Sequence, residues 1–273
     1  MKTIAYTIGT LVTNPVQYAE MKASLISKGF TERDCEYIFI DNTGERQTDA
    51  YAGLNQLLLQ ARGERIILCH QDILLLKDGR QELDDRLAEL TELDPYWAVA
   101  GNAGGVALRS YAVVITLKDG KYERIGMVPS RVMSVDENFI VVTRESRIGF
   151  SRDLTGFHMY GADLCLMAEI HGYHSYVIDF NLVHLSNGHV GESFRLCREN
   201  FRRKWEWAFR DRFMQTTCTY LLVSGRQHSY TVRRVREIAA RLWVKLKVSV
   251  SKRIHKPILT PSARDREHRA EAA

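Results

Sequence analysis

No stretch of this 273-residue sequence is apolar for long enough to cross a bilayer, which takes roughly 20 consecutive residues. The amino terminus lacks the apolar core and small-residue cleavage site of a signal peptide, because Met1 leads straight into the strand-like run Thr3-Ile-Ala-Tyr-Thr-Ile-Gly9. These two absences lead us to expect a protein that stays in the cytoplasm. There is no C-x-x-C spacing either. The five cysteines, Cys35, Cys69, Cys165, Cys197 and Cys218, are scattered and odd in number. That excludes a disulfide framework and a zinc cluster and leaves small buried hydrophobes as the expectation. Internal repeats and low-complexity tracts are missing as well.

What is present is enough apolar material, 45% of residues, to bury a substantial core. The charge is unevenly spread. Residues 195–273 carry 20 Lys and Arg against 7 Asp and Glu, a balance of +13, and the overall +5 leaves −8 for residues 1–194. Over the first hundred residues, short apolar runs of strand length alternate with amphipathic stretches of helix length, the pattern of βαβ units around a parallel sheet. Strands are expected at 2–9, 36–41, 65–69 and 97–100, with helices at 15–28, 48–61 and 79–93. Lys118-Asp-Gly-Lys121 between 112–117 and 122–125 signals an antiparallel hairpin. A strand at 136–143, a helix at 161–171 and a strand at 174–183 follow. The expected class is therefore α/β, a mostly parallel sheet with an antiparallel hairpin insert, over 1–192. A basic helical extension is expected over 193–257 and a disordered tail over 258–273.

In open α/β sheets ligands bind beyond the carboxyl ends of the strands, which directs attention to Thr7 to Thr10, to Asp41 and Asn42, to His70-Gln71-Asp72 and to His184. Asp41 suits either a ribose or base hydroxyl or a turn before Gly44. His70 and Asp72 flank one residue after an apolar strand, so on extended backbone both project to one side. There a carboxylate and an imidazole can meet one cation, Mg²⁺ or Mn²⁺, with the imidazole favouring Mn²⁺; the same pair also fits a capping Asp beside a half-buried His. Asp163 opens a helix behind His158 and Tyr160 and suits either a base or a dipole-stabilising carboxylate. Gly101-Asn-Ala-Gly104-Gly105 reads as a loop where backbone approaches a ligand, or as a tight turn.

Three stretches together resemble the family 2 glycosyltransferases of the GT-A (Rossmann-like) fold, and more narrowly the streptomycin-biosynthesis-type glycosyltransferase-like family. They are Ile40-Asp-Asn-Thr43; Asn55 to Glu64, with the pattern N-x5-A-x-G-E, leading into His70-Gln-Asp72; and Tyr160-Gly-Ala-Asp163 followed by His171-Gly-Tyr173 and His184. The similarity covers roughly residues 1–190. It implies that Asp41 contacts the nucleoside, that Asp72 and His184, with His70 beside them, hold the metal, and that Asp163 is the catalytic base. Thr7, Asn42, Asn55, Gln71, Gly104, Gly105 and Tyr160 complete the expected donor site. The sequence departs from many relatives by carrying Gly161 and Ala162 where a further acid precedes the helix.

The resemblance further implies a nucleoside-diphosphate sugar donor and a glycan or lipid-linked acceptor in bacterial surface polysaccharide synthesis. Arg202-Arg-Lys204 beside Trp205 and Trp207, and Leu242-Trp-Val-Lys-Leu-Lys-Val248, read as interfacial helices, so peripheral membrane contact through 195–256 is expected. No DNA- or RNA-binding motif accompanies the basic region, and no nucleic-acid partner is expected. Two other readings stay open. One is a catalytically silent nucleotide-sugar-binding protein, which the missing acid favours. The other is a nucleotidyltransferase, which Gly9-Thr-Leu-Val-Thr13 does not support because it lacks the extra glycines and the basic residue of a phosphate loop.

Overall fold

The structure is a computed structural model that describes residues 4–186, 191–226 and 230–254, with residues 247–254 by backbone alone. β1 (Tyr6–Val12) hands over to α1 (Pro15–Ser27), whose cap Asn14 accepts from the amides of Val16 and Gln17. Proline at the first helical position loses no hydrogen bond there. β2 (Cys35–Asp41) precedes α2 (Ala50–Gln60), capped by Asp49. β3 (Arg65–Cys69), the short β4 (Ile73–Leu74), α3 (Arg80–Leu93) and β5 (Trp97–Gly101) complete the βαβ half.

The insert comprises β6 (Ala103–Ala107), β7 (Ser110–Leu117), β8 (Tyr122–Ile125), β9 (Ser130–Arg131) and β10 (Ser134–Val135). The chain then returns through β11 (Phe139–Thr143), α4 (Tyr160–Ile170), β12 (His174–Val177) and β13 (Val183–His184). A first compact unit runs to Lys204, inside α5 (Glu192–Phe209). A second, from Trp205, contains the end of α5, the hairpin β14 (Arg212–Gln215) and β15 (Tyr220–Val223), and α6 (Tyr230–Ile254).

The central sheet has the order β2-β1-β3-β11-β5-β12-β9. β1 is parallel to β2 and β3, β12 is parallel to β5, and β11 runs antiparallel between β3 and β5. All the strands but β11 and β9 therefore run one way, and the expected α/β class with a mostly parallel sheet is what the chain adopts. Alternate residues of the inner strands face opposite layers. Tyr6, Ile8, Ile67 and Val141 pack with Met21 and Leu25 of α1 and Leu83 and Leu87 of α3. Ile66, Leu68, Ile140 and Val142 pack with Leu54 and Leu57 of α2 and Leu164 and Ala168 of α4. Burial on both faces explains why these strands read as continuous apolar runs.

A second sheet, β10-β6-β7-β13-β4 with β8 added to β7, crosses the carboxyl edge of the first. It brings several corrections. The run 174–183 is two strands, not one, because β12 joins the central sheet and β13 the second. Gly101–Gly105 is not a loop: it ends β5 and opens β6, where Gly104 pairs with Ala112 and Val135. β1 extends to Val12 rather than ending at Gly9. The basic extension contains the β14–β15 hairpin as well as helix, and the expected disordered tail, 258–273, lies outside the described residues. All five cysteines are free, but Cys218 is exposed rather than buried, since it sits in the turn of that hairpin.

Gly104 is a glycine because strand β10 leaves it no room. A Cβ there would meet the Ser134 carbonyl oxygen at 2.3 Å, and a backbone atom cannot yield as a side-chain tip can. Gly104→Ala is expected to cost about 1–3 kcal/mol, the usual range for overpacking. This would be read as a lower urea midpoint at unchanged m-value.

Candidate metal centre

The place where the two sheets meet is built by a two-residue ladder. After β3 the chain turns at His70, whose amide donates to the Asn138 carbonyl at 2.9 Å, and enters β4. β4 pairs antiparallel with β13 in the register Ile73 with His184 and Leu74 with Val183. The Leu185 amide closes the ladder on the Asp72 carbonyl at 2.9 Å. His184 therefore stands beside Asp72 although more than a hundred residues separate them. Gln71 fixes the neighbouring loop by accepting from the amides of Thr13 and Asn14, both at 2.9 Å, and donating to the Thr13 hydroxyl at 2.7 Å.

His184 Nε2 lies 3.5 Å from Asp72 Oδ1, and His70 Nδ1 lies 3.8 Å from the same oxygen. One ligand atom from each of the three side chains falls within 4.8 Å of the others. Atoms bonded to one cation at about 2.1 Å stand about 3–4 Å apart, and the two separations from Asp72 Oδ1 fall in that range. The environment fits too. Burial lowers the His70 pKa, which keeps the ring neutral and able to donate a lone pair. Burial would raise the Asp72 carboxyl, but His184 and His70 outweigh it and hold Asp72 below the usual carboxylate range.

Tyr160 orients this set. Its hydroxyl is 2.7 Å from His70 Nε2 and donates to the Glu137 carbonyl at 3.3 Å. In the tautomer with the proton on Nε2, His70 donates to the tyrosine oxygen and Nδ1 turns its lone pair toward Asp72. Two acceptors facing each other are what a cation joins, and a fixed outer partner for a ligating histidine is the usual support of such a site. His70, Asp72, His184 and Tyr160 are thus brought together.

The other expected residues are placed differently. Thr7 is fully buried near the start of β1, where its hydroxyl donates to Glu36 at 2.6 Å and accepts from the amides of Arg62 and Gly63. Asn42 is fully buried and closes its own loop on the backbone of Thr48. Asn55 bridges both backbone groups of Phe150. Gly104 serves strand crowding, as above, and Gly105 lies beside it in β6, paired with Tyr111 and Ser134. In this structure the polar groups of Thr7, Asn42 and Asn55 bind other parts of the fold. Asp41 stays exposed at the end of β2, where Thr43 donates to it through both amide and hydroxyl and holds its carboxyl low.

Asp163 lies in the interior. It has no exposed surface, and its two carboxylate oxygens accept from the Ser151 amide at 2.8 Å and the Ser151 hydroxyl at 2.7 Å. A carboxylate engaged this way inside the protein pins the 150–152 segment to α4 and is not presented to a substrate.

Glu137 was not anticipated. It precedes β11 and accepts from the Gly161 amide at 3.3 Å at the first turn of α4. Burial pushes its carboxyl up to about 8, against the pull of the Gly161, Tyr160 and Met159 amides and with a further push from Asp136. The only sequence signal was the acidic pair Asp136-Glu137 between two apolar runs.

A groove of about 910 Å³, lined among others by Arg65, Thr143, Arg147 and His171, lies at the opposite end of the strands. Arg65 begins β3 and Thr143 ends the antiparallel β11, so this groove does not include the three candidate ligands.

No family model matches the chain. The sequence is 32% identical over 229 residues to the protein of Fuscovulum blasticum named ATP synthase subunits region ORF 6, covering 82% of this chain and 92% of that one. Among solved structures, the mannosyltransferase PcManGT of Pyrobaculum calidifontis in complex with GDP-Man and Mn²⁺ is similar with a TM-score of 0.49 and 13% identity, over 75% of this chain and 65% of that one. GalNAc-T7 with UDP, GalNAc and Mn²⁺ gives 0.47 and 8%, over 70% of this chain and 45% of that one. This chain thus spans under two thirds of the first structure and under half of the second.

Mn²⁺ is expected to raise the melting temperature of the wild type, in proportion to about 2.7 kcal/mol at a hundredfold excess over its dissociation constant. His184→Ala and Asp72→Asn should each abolish the shift. The shift should grow as pH rises, because protons compete for the imidazoles. Equal shifts in all three proteins would remove the ion from this place.

Proposed function

This chain, which belongs to the family of the ATP synthase subunits region ORF 6 protein of Fuscovulum blasticum, is, we propose, a metal-dependent inverting glycosyltransferase of the GT-A type. It moves a sugar from a nucleoside-diphosphate donor to a glycan or lipid-linked acceptor in bacterial surface polysaccharide synthesis. The observation that carries this reading is the convergence of His70, Asp72 and His184 at the carboxyl edge of the sheet, in the order and spacing of the motifs that resemble that family. A Mn²⁺ or Mg²⁺ ion held there would neutralise a leaving diphosphate as a Lewis acid.

The chain's own groups do the rest. Asp41, exposed where β2 ends, contacts the nucleoside. Tyr160 keeps His70 in one tautomer. The Gln71 bridge fixes the Thr13-Asn14 loop beside the donor. The acceptor hydroxyl attacks the anomeric carbon on the face opposite the diphosphate, so the configuration inverts. The burial of Asp163 favours one second reading, a nucleotide-sugar-binding protein without turnover. Nucleotide release from UDP-, GDP- and dTDP-sugars with Mn²⁺ decides between them: the transferase reading expects release by the wild type and a loss of at least a hundredfold in Asp72→Asn, whereas binding without release would sink it.

The second unit fits a lipid-linked acceptor. None of the described helices is long and apolar enough to cross a membrane, but α6 is amphipathic. Val235, Ile238, Leu242 and Leu246, exposed by 60, 45, 56 and 66%, recur at i+3 and i+4 spacing, and so form one stripe. Arg234, Arg241 and Lys245 lie along one side of the stripe. The face turned inward carries the buried Glu237, which accepts from the Leu222 amide at 2.8 Å. An apolar stripe with basic flanks is the surface that lies in an anionic headgroup layer. The full chain is expected to float with anionic liposomes and to sink when Ile238 and Leu242 are both changed to Glu. Flotation of a chain ending at residue 225 as good as that of the full chain would refute the role of α6.

A further inference from the structure

We propose that Glu137 is the proton acceptor of the transfer reaction, a role that rests on the glycosyltransferase reading above. Most carboxylates near the edge where the ligands meet are already engaged. Asp163 is interior and bound to Ser151, Asp72 faces two imidazoles, and Asp41 is tied to Thr43 at the end of β2. Asp136 is exposed and folds back to accept from the Asn138 amide at 3.0 Å. Glu137 remains: its backbone carbonyl accepts from the Tyr160 hydroxyl, whose oxygen is 2.7 Å from His70 Nε2, and its carboxylate accepts from the amide of Gly161, the residue next to Tyr160.

Its position is built rather than accidental. The carboxylate rests on the Gly161 amide at the first turn of α4, where helix N–H groups orient an anion. Gly161 is the other half of this arrangement. A Cβ on it would meet the Val135 carbonyl oxygen at 2.3 Å and Glu137 Cγ at 3.3 Å. The segment Val135–Glu137 therefore fills the space a side chain at 161 would need, and the absence of a further acid at 161 and 162, ahead of the interior Asp163, is the counterpart of the glutamate delivered from the neighbouring loop. The helix start keeps a carboxylate, supplied by a different stretch of chain.

The reaction balances with Glu137 in this role. The acceptor O–H gives its proton to the Glu137 carboxylate, the acceptor oxygen bonds to the anomeric carbon, and the bond from that carbon to the diphosphate oxygen breaks. Its electron pair leaves with the nucleoside diphosphate. A general base works best when its proton affinity lies near the working pH, and a carboxyl raised to about 8 by its surroundings meets that condition. The groups that face it are Asp136, Tyr160 and the amides of Met159, Tyr160 and Gly161.

The test uses the full chain with Mn²⁺ and the UDP-, GDP- and dTDP-sugars, with water as acceptor. It follows nucleotide release, donor binding by calorimetry and the melting temperature. Glu137→Gln, which preserves shape and the acceptor for Gly161, is expected to bind donor within twofold of wild type and to melt alike, but to release nucleotide about 10²–10⁴-fold more slowly. The wild-type rate should rise with pH through about 8 as the carboxyl loses its proton, and that rise should vanish in Glu137→Gln. If Glu137→Gln does not fold, Glu137→Asp serves instead, with slower release and the pH rise retained. Wild-type rate in Glu137→Asp, or wild-type rate and pH profile in Glu137→Gln, would overturn the role of Glu137 while leaving sugar transfer standing. A wild type that binds none of the donors would overturn the transfer reading itself, and this role with it.

Discussion

The pairing of β4 with β13, two residues on each side, is the contact on which the site depends. It joins the end of the βαβ half to the end of the return segment and sets Ile73 opposite His184. Because side-chain direction alternates along a strand, a slip of one residue would turn His184 away from Asp72. The register is held on both flanks. The Leu185 amide bonds the Asp72 carbonyl, and β13 is also parallel to β7, with His184 opposite Leu117. The hairpin insert thus has a structural purpose: β7 supplies the inner support without which so short a ladder would fray.

The acidic residues of the first unit divide by what they must remain able to do. Asp163 and Glu36 are spent inside the fold, on Ser151 in one case and on Thr7 and Arg62 in the other. Each satisfies backbone donors that burial would otherwise leave costly. Asp72 keeps a neighbourhood of imidazoles and stays ionised. Glu137, buried among weaker donors, is the opposite case and holds its proton to higher pH. Carboxylates of the same fold thus acquire different chemistry from burial and partners alone.

The second unit follows a separate logic. Its hairpin and α6 bury one polar contact, Glu237 on the Leu222 amide, and leave a long stripe of apolar side chains outward among cationic ones. Stability of the unit itself does not call for such a stripe, since a solvated helix face would be polar. The charge asymmetry between the two halves of the sequence follows the division of the chain: the acidic excess lies in the first unit and the basic excess begins in α5 and runs through the second.

Much of this was open to view in the sequence for identifiable reasons. Apolar runs buried on both faces marked β3 and β5, an apolar run at the sheet edge marked β2, Asn14-Pro15 marked the start of α1, and Asp-Gly marked the β7–β8 hairpin, because each signal is local. The His70-Gln71-Asp72 triplet and His184 were legible as ligand types. Their meeting was not, since it requires a register between segments more than a hundred residues apart. Nor was the orientation of Asp163, Thr7, Asn42 or Asn55, all polar residues at plausible positions whose partners come from other elements. The sequence by itself determined the elements and the chemistry available at their ends. Tertiary structure alone decided which polar groups were used up in holding the chain together and which, like Asp72 with His70 and His184, were brought together, because burial and hydrogen-bond partners exist only once distant strands have paired.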